Sequence, residues 1–344
     1  MSCGLGNAVN RSSDRRQPDA RQGQTRSTGV CAPVDPDMAR GGGVFGTAFP
    51  PWPDERAVPG VDVFFIMSGF IMGKIGSREP PKVFLRRRLV RIVPLYWLTT
   101  LAMCALSWLP GLMKRFTFTG PDLIKSLLFI PFTSSFGLVE PLLIPGWTLN
   151  YEMFFYLVFT ICLLTTRPKF WALTLMLSLP AAGQIIVLSQ WFDTTGPIFT
   201  TYTSPRLLEF AAGMALSITN PIKGARMGLL AILAGFAGIT LRWLFGDLDV
   251  SSFFRLLLVG GPAALLVAGG LALDAAGRWP NFPVVMQFST ASYSLYLTHG
   301  FIVPLLARFD NVPILKITLG LALPTILAII TFRLFEKPVS RLLR

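Results

Sequence analysis

The segment PGWTLNYEMFFYLVF (145–159) places an acid, Glu152, among apolar and aromatic residues. An acidic side chain inside an apolar helix costs free energy, so it usually serves a function or pairs with a base. Such a carboxylate could therefore take part in a chemical site. The alternative interpretation is a buried partner for an arginine.

The segment FLRRRLVRIVPLYW (84–97) carries four arginines at the start of an apolar run. Arg88 and Arg91 are three residues apart, so they share one face of a helix. A basic face of this kind could bind the phosphates of a cofactor. The alternative is an anchor that fixes membrane topology, which arginine clusters often are.

The segment ASYSLYLTHG (291–300) aligns Tyr293, Tyr296 and His299 at every third position of a predicted helix. His299 is the single histidine of the chain. A histidine in this setting is more often a hydrogen-bonded structural residue than a general base, and both roles stay open.

Other polar or small residues in the apolar runs predict packing and pairing. Gly69 and Gly73 are four residues apart, which predicts a close helix contact. Arg206 and Glu209 are three apart and could form an internal ion pair. Asp62 stands at the start of a predicted helix, where it could act as a cap.

The composition indicates that these segments belong to a membrane protein. Hydrophobic residues make up 52% of the 344 residues and charged residues 14%, whereas soluble domains carry about 25% charged residues. The basic residues behind the net charge of +13 lie mostly between apolar runs, which argues against a nucleic-acid partner. Four cysteines without a CxxC or Cys/His cluster predict no metal site.

Long apolar runs alternate with short polar joints from Val58 onward, which predicts an all-α, polytopic membrane helix bundle. About nine transmembrane helices are expected, near 58–76, 92–112, 142–165, 170–190, 205–219, 228–243, 252–273, 284–307 and 313–335. The stretch 122–133 is too short to span and is expected to lie at the interface or to re-enter the membrane.

Basic residues are concentrated in alternate joints, which places the arginine-rich joint and the C-terminus in the cytoplasm. Glu336 then lies before Pro338 at the cytoplasmic boundary. Residues 1–56 are polar and predicted to form a disordered or aberrant tail, with the membrane domain at 57–344. The tail's seven arginines would then lie on the outer side of the membrane, which conflicts with the preference of basic residues for the cytoplasmic side. One further helix before Val58 would remove this conflict.

Six motifs in order resemble the membrane acyltransferase-3 family: GVDVFFIMSGFIM, FLRRRLVRIVPLYW, PGWTLNYEMFFYL, RLLEFAAGM, SYSLYLTH and the final FEKP. The likeness runs from about 57 to 340 and is greatest to the branch that serves exopolysaccharide production. The resemblance implies a bacterial inner-membrane enzyme of ten helices, which moves an acyl group, commonly acetyl, from acyl-CoA to a sugar hydroxyl of a surface glycan or its lipid-linked precursor.

The resemblance also assigns site residues. It implies that Arg87, Arg88 and Arg91 bind the acyl-CoA, and it matches the family's functional residues to Glu152, Tyr293 and His299. Acyl-CoA is thus expected as a donor substrate rather than a resident cofactor, and a glycan, membrane lipids and a polysaccharide synthesis complex are the expected partners.

One departure concerns the family's first helix, with its arginine and a histidine near its outer end. The chain shows MARGGGVFGTAFPPWPDERAV there instead. We therefore expect a lost or replaced N-terminus, or an error of start or reading frame upstream of Arg56. Because a general base contributes about 10²–10⁴-fold, weak or absent activity of this exact chain is expected, and full activity would refute that expectation.

Two hypotheses from other functional classes stay open on the sequence. Helix number and intramembrane charges also suit a transporter or flippase of lipid-linked glycan, although no internal repeat is visible. A non-catalytic scaffold of a polysaccharide synthesis complex is the other alternative.

Overall fold

The computed structural model describes residues 59–108, 116–135, 137–190, 194, 196–219, 222–244, 256–279, 283–302, 306 and 313–343. Within these ranges the chain is helical: α1 Pro59–Lys74, α2 Pro81–Ser107, α3 Gly120–Leu127, α4 Trp147–Cys162, α5 Pro168–Ser189, α6 Pro197–Tyr202, α7 Leu207–Thr219, α8 Ala225–Leu244, α9 Gly261–Ala275, α10 Pro283–Ile302, α11 Pro313–Thr331 and α12 Lys337–Leu342. The predictions for the tail 1–56 and for the missing first helix lie outside the described residues.

Part of this helix bundle has the length and the apolar composition that crossing a membrane requires. Six of the described segments are long and apolar enough to span a bilayer: Gly60–Arg78, Pro81–Ser107, Pro168–Ser189, Ala225–Leu244, Leu256–Ala275 and Ile314–Leu342. Large apolar side chains such as Leu188, Trp243 and Ile314 are exposed on them, as a lipid-facing surface requires. The predicted all-α, multi-pass membrane bundle is confirmed. The expected count of about nine transmembrane helices stays a prediction.

Two helices of the interior, α4 and α7, are shorter than the predicted runs around them. They have 16 and 13 residues. Aromatic rings hold them to α1: the Phe210 ring lies 4.7 Å from that of Phe65 and 4.5 Å from that of Phe155. Because neighbouring helices cover them, α4 and α7 can carry polar residues that a lipid-facing helix could not.

Helix α1 crosses α7 at glycines. A Cβ added at Gly69 would overlap the carbonyl oxygen of Phe210, and one added at Gly213 would overlap that of Ile66. At Gly73 an added Cβ would overlap the Ser217 hydroxyl. The close contact predicted from the spacing of Gly69 and Gly73 is thus present, and it brings the two backbones together as small residues allow in membranes.

We expect Gly69→Ala to destabilise the fold by about 1–3 kcal/mol, because the methyl group forces α1 and α7 apart. Gly60→Ala is the matched control on the same helix, since an added Cβ at Gly60 has nothing within 4 Å. Thermal unfolding of the purified protein in detergent measures both. Equal melting temperatures for the two variants would contradict the glycine contact.

Helices α2 and α4 run antiparallel, and they form the frame of the candidate site. Near the start of α2 the Phe84 ring lies 5.2 Å from the Phe159 ring, near the end of α4. Further along α2 the Tyr96 ring lies against Gly146, just before α4, where an added Cβ would stand 2.6 Å from its Cε2. Residues later in α2 therefore contact residues earlier in or just before α4, as expected for an antiparallel pair.

The short helix α3 lies beside the middle of α2. The Tyr96 hydroxyl donates to the Ser126 carbonyl at 3.1 Å, and the Trp97 Nε1 donates to the Leu127 carbonyl at 2.9 Å. Tyr96 precedes the end of α2 at Ser107 by eleven residues, or about 16 Å of helix. Of the two predicted placements for this stretch, re-entry into the membrane is the one these contacts favour.

Candidate functional site

The facing surfaces of α2 and α4 bring Arg88 to the interior. Its guanidinium carbon lies 5.3 Å from the centre of the Phe84 ring and 5.9 Å from that of Tyr156. The side chain is half-buried. Phe84 and Arg88 are four residues apart, so the helix period of α2 places both on the face toward α4, and the two rings stabilise the cation by their negative faces.

Glu152 is buried at the centre of this contact, with 4% of its surface exposed. Its carboxylate accepts hydrogen bonds from the Tyr156 hydroxyl and, at 3.4 Å, from the Ser68 hydroxyl of α1. The Arg88 guanidinium packs over the ring of Tyr156, the residue that donates to this carboxylate. A buried carboxylate is tolerated when hydrogen bonds and an opposite charge compensate for its lost hydration.

Tyr293 of α10 adds the third element to this group. It is 9% exposed and its hydroxyl donates to the Ile92 carbonyl of α2 at 2.7 Å. Ile92 follows Arg88 by one helical turn, so Tyr293 lies beside the segment of α2 that carries Arg88 and Arg91. We call Arg88, Arg91, Glu152, Tyr156 and Tyr293 the arginine–glutamate cluster.

Arg87 lies apart from the arginine–glutamate cluster. Its Nη1 forms an ion pair with Glu79 Oε1 at 2.7 Å, and 60% of its side chain is exposed. One residue along a helix rotates a side chain by about 100°, so Arg87 cannot share the face of Arg88. The structure therefore gathers two of the three predicted donor-binding arginines.

His299 lies further along α10. Six residues separate it from Tyr293, or about 9 Å of helix. Its Nδ1 lies 2.6 Å from the Tyr296 carbonyl oxygen. A carbonyl oxygen only accepts, so Nδ1 donates, and in the neutral ring Nε2 is then the basic nitrogen.

Tyr296 connects the His299 end of α10 to the start of α4. Its hydroxyl pairs with the Thr148 hydroxyl at 2.7 Å and donates to the Pro145 carbonyl at 2.5 Å. Its ring stacks on Phe64 of α1 with centres 6.4 Å apart. Thr148 precedes Glu152 by one turn of α4, so Tyr296 joins the helix that carries His299 to the turn of α4 before Glu152.

Sequence reasoning missed one member of the cluster, Tyr156, and two serines that bond buried carboxylates, Ser68 and Ser294. Tyr156 follows Glu152 by four residues, a helical spacing that could have indicated the contact. Ser68 and Ser294 gave no signal, because single serines in apolar helices commonly bond their own backbone. Ser294 instead donates to Glu336 at 2.5 Å.

Other charged residues are buried near the start of α4. The Arg206 guanidinium lies 4.5 Å from the centre of the Trp147 ring. Arg206 and Glu209 are 5% and 1% exposed, and Asp62 is fully buried in the first turn of α1. The predicted pairing of Arg206 with Glu209 stays a prediction.

Glu140, in the segment between α3 and α4, is a buried carboxyl outside the cluster. It is 8% exposed and accepts a hydrogen bond from the Ser134 hydroxyl at 3.0 Å. Burial raises the pKa of Glu140 above its ordinary value, and the bond from Ser134 opposes this effect in part.

Because the folded state favours protonated Glu140, its stabilising contribution is present at low pH and lost as the pH rises through the raised pKa. The side chain of Glu140→Gln has no proton to lose. We therefore expect its melting temperature to depend less on pH than that of wild type between about pH 4 and about pH 8. Thermal unfolding across that range measures it. If the melting temperatures of the two proteins depended on pH in the same way, the raised pKa of Glu140 would be contradicted.

Comparison with known proteins gives a consistent family relationship. Residues 42–333 match the family described as an acyltransferase domain. The exopolysaccharide production protein ExoZ of Rhizobium meliloti (strain 1021) is 35% identical over 302 residues, which cover 82% of this chain and 89% of that protein. Nodulation protein 10 of Rhizobium leguminosarum bv. viciae is 26% identical over 317 residues, or 83% of each chain.

The peptidoglycan O-acetyltransferase OatA of Listeria monocytogenes serovar 1/2a (strain ATCC BAA-679 / EGD-e) is 24% identical over 328 residues. The match covers 82% of this chain but 51% of OatA. No solved structure matches the chain.

Proposed function

Because this chain belongs to the membrane acyltransferase-3 family, in its exopolysaccharide-production branch, we propose that it transfers an acyl group, acetyl foremost, from acyl-CoA to a sugar hydroxyl of an exopolysaccharide or other surface glycan. The enzyme class and the multi-pass membrane character follow from the family and the helices. The family relationship favours an enzyme over the transporter and scaffold hypotheses. The donor, the acetyl group and the particular glycan are the proposed part.

The observation that carries the proposal is the arginine–glutamate cluster inside an apolar bundle. Arg91 keeps an exposed surface, and Glu152 of the facing helix is buried. A guanidinium presents five N–H donors in a planar fork that matches phosphate oxygens, so an exposed arginine can bind a phosphate. Coenzyme A carries phosphates of this kind.

The chemistry needs a base for the hydroxyl proton and a site that holds both substrates. In the proposed reaction the sugar oxygen attacks the thioester carbon, the C–S bond breaks, and coenzyme A leaves as the thiol. His299 is the candidate base among the described residues, since Nε2 is its basic nitrogen. With the donor phosphates at Arg88 and Arg91, the thioester would extend along α10 toward His299.

Basic residues in alternate joints support an inner-membrane topology with the C-terminus and the start of α2 in the cytoplasm. This orientation lets cytoplasmic acyl-CoA reach the arginines. A polysaccharide synthesis complex is the proposed setting in which the acceptor is presented.

Transfer of radiolabelled acetyl from acetyl-CoA to polysaccharide, in membranes that contain this chain, tests the proposal. We expect label in the glycan above the level of membranes without it. Acylation of the glycan that requires the chain but no coenzyme A thioester would contradict acyl-CoA as the donor. Movement of unlabelled lipid-linked glycan without acylation would favour the transporter hypothesis.

A further inference from the structure

One tyrosine hydroxyl joins α10 to the start of α4. The Tyr296 hydroxyl donates to the Pro145 carbonyl at 2.5 Å and lies 2.7 Å from the Thr148 hydroxyl. A tyrosine hydroxyl carries one proton, so this proton goes to Pro145, and Thr148 acts as the donor to Tyr296. Pro145 belongs to the 3₁₀ turn Ile144–Gly146, which directly precedes α4. The hydroxyl is therefore bonded to both sides of the point where α4 begins.

The ring of Tyr296 is held as well as its hydroxyl. It stacks on the Phe64 ring of α1, with centres 6.4 Å apart and planes inclined by 12°. Gly300, one turn further along α10, faces Pro145, because a Cβ added at Gly300 would stand 3.5 Å from Pro145 Cγ. Rotation or sliding of this turn of α10 would therefore break contacts with α1 and with the 3₁₀ turn.

His299 belongs to the same turn of α10. Its Nδ1 lies 2.6 Å from the carbonyl oxygen of Tyr296, and the two rings have centres 5.9 Å apart. His299 is half-buried and stands three residues before Ile302, where α10 ends. Helix ends fray, so the position of this imidazole depends on the contacts that hold the last turn of α10.

A reacting group displaced by about 1 Å can lose about 100-fold in rate, so the residues that hold a base in place affect catalysis. We propose that Tyr296 is a positioning residue, which fixes His299 with Nε2 as the basic nitrogen through its bonds to Pro145 and Thr148. The inference rests on the proposed function, since it takes His299 as the base for the acceptor hydroxyl. In the competing explanation Tyr296 only joins α10 to α4, and its loss lowers stability without changing His299.

Solid-state nitrogen NMR of histidine-labelled protein tests the inference, because His299 is the single histidine of the chain. The full chain is measured in lipid bilayers at about pH 9, where histidine side chains are ordinarily neutral, and the wild type should show the Nδ1–H tautomer. We expect Tyr296→Phe to raise the ratio of the Nε2–H to the Nδ1–H tautomer about threefold to tenfold, as one hydrogen bond weakens.

Matched variants separate the hydroxyl bonds from a general loss of packing. Tyr202→Phe is the same substitution at a half-buried ring, which stacks on Phe154 at 4.3 Å, and it should keep the wild-type ratio. Thr148→Val should change the ratio in the same direction as Tyr296→Phe, whereas Thr148→Ser keeps the hydroxyl and should not. A wild-type ratio in Tyr296→Phe, or a predominant Nε2–H tautomer in the wild type, would overturn the inference.

Rates of acetyl transfer distinguish the inference from the proposed function. Tyr296→Phe should lower kcat about tenfold and leave the donor KM within about twofold of wild type. It should have no further effect on kcat in a His299→Gln protein, and an equal loss in both backgrounds would overturn the positioning role. Wild-type rates for His299→Gln would instead contradict His299 as the base, while the tautomer ratio still decides whether Tyr296 holds the ring.

Discussion

Replacing Glu152 with glutamine is expected to lower acyl transfer by about 100-fold or more, while the protein still folds. Glutamine has nearly the same shape and can still accept from Tyr156 and Ser68, but it carries no charge. In the proposed reaction the site then loses the carboxyl group that orients the acceptor hydroxyl or tunes a basic partner, and a hydrogen bond to a charged group contributes about 1.5–3 kcal/mol. About 2.7 kcal/mol expressed in the transition state is already a 100-fold loss.

Initial rates of acetyl transfer in membranes, normalised to the amount of folded protein, measure this effect. Glu140→Gln is the matched control, because it is the same substitution at a buried glutamate outside the cluster. It should retain transfer within about twofold of wild type. Equal rates for the two variants would show that Glu152 is no more than a structural residue.

The second large effect is expected at Arg91. Arg91→Gln should raise the apparent KM for the acyl-CoA donor about 10-fold to 100-fold, since a hydrogen bond to a charged group contributes about 1.5–3 kcal/mol. The effect on kcat should be smaller, because the interaction holds the donor before and during the reaction alike. Arg88→Gln is expected to act in the same direction.

Lys82→Gln removes one positive charge from the exposed start of the same helix. It should change the donor KM less than about twofold, because exposed charges are screened by salt. A donor KM equal for Arg91→Gln and Lys82→Gln would mean that the arginines act only through the net charge of the cytoplasmic face.

The sequence predicted the elements of the site better than their long-range contacts. Local spacing sufficed for Arg88 and Arg91 on one face and for the glycine contact of α1, since both follow from the helix period. Glu152 was predicted because an acid in an apolar run is costly wherever the helix packs. Arg87, assigned through the family resemblance alone, points away and pairs with Glu79.

Contacts between distant segments could not be read from the sequence. Glu336 meets Ser294 across 42 residues, and it was noted only as a boundary residue. The extents of α4 and α7 were overestimated, because hydropathy alone does not show where a buried helix begins or where a segment re-enters beside α2. The roles of Tyr293 and His299 stay predictions.

Photochemical labelling with a diazirine-bearing acyl-CoA analogue, followed by mapping of the labelled peptides, tests the donor site most directly. Peptides from 84–97 and 147–162 should carry the label, and excess coenzyme A should remove it. Label spread over the lipid-facing helices α8 and α11, or label that coenzyme A does not displace, would contradict a donor site at the arginine–glutamate cluster.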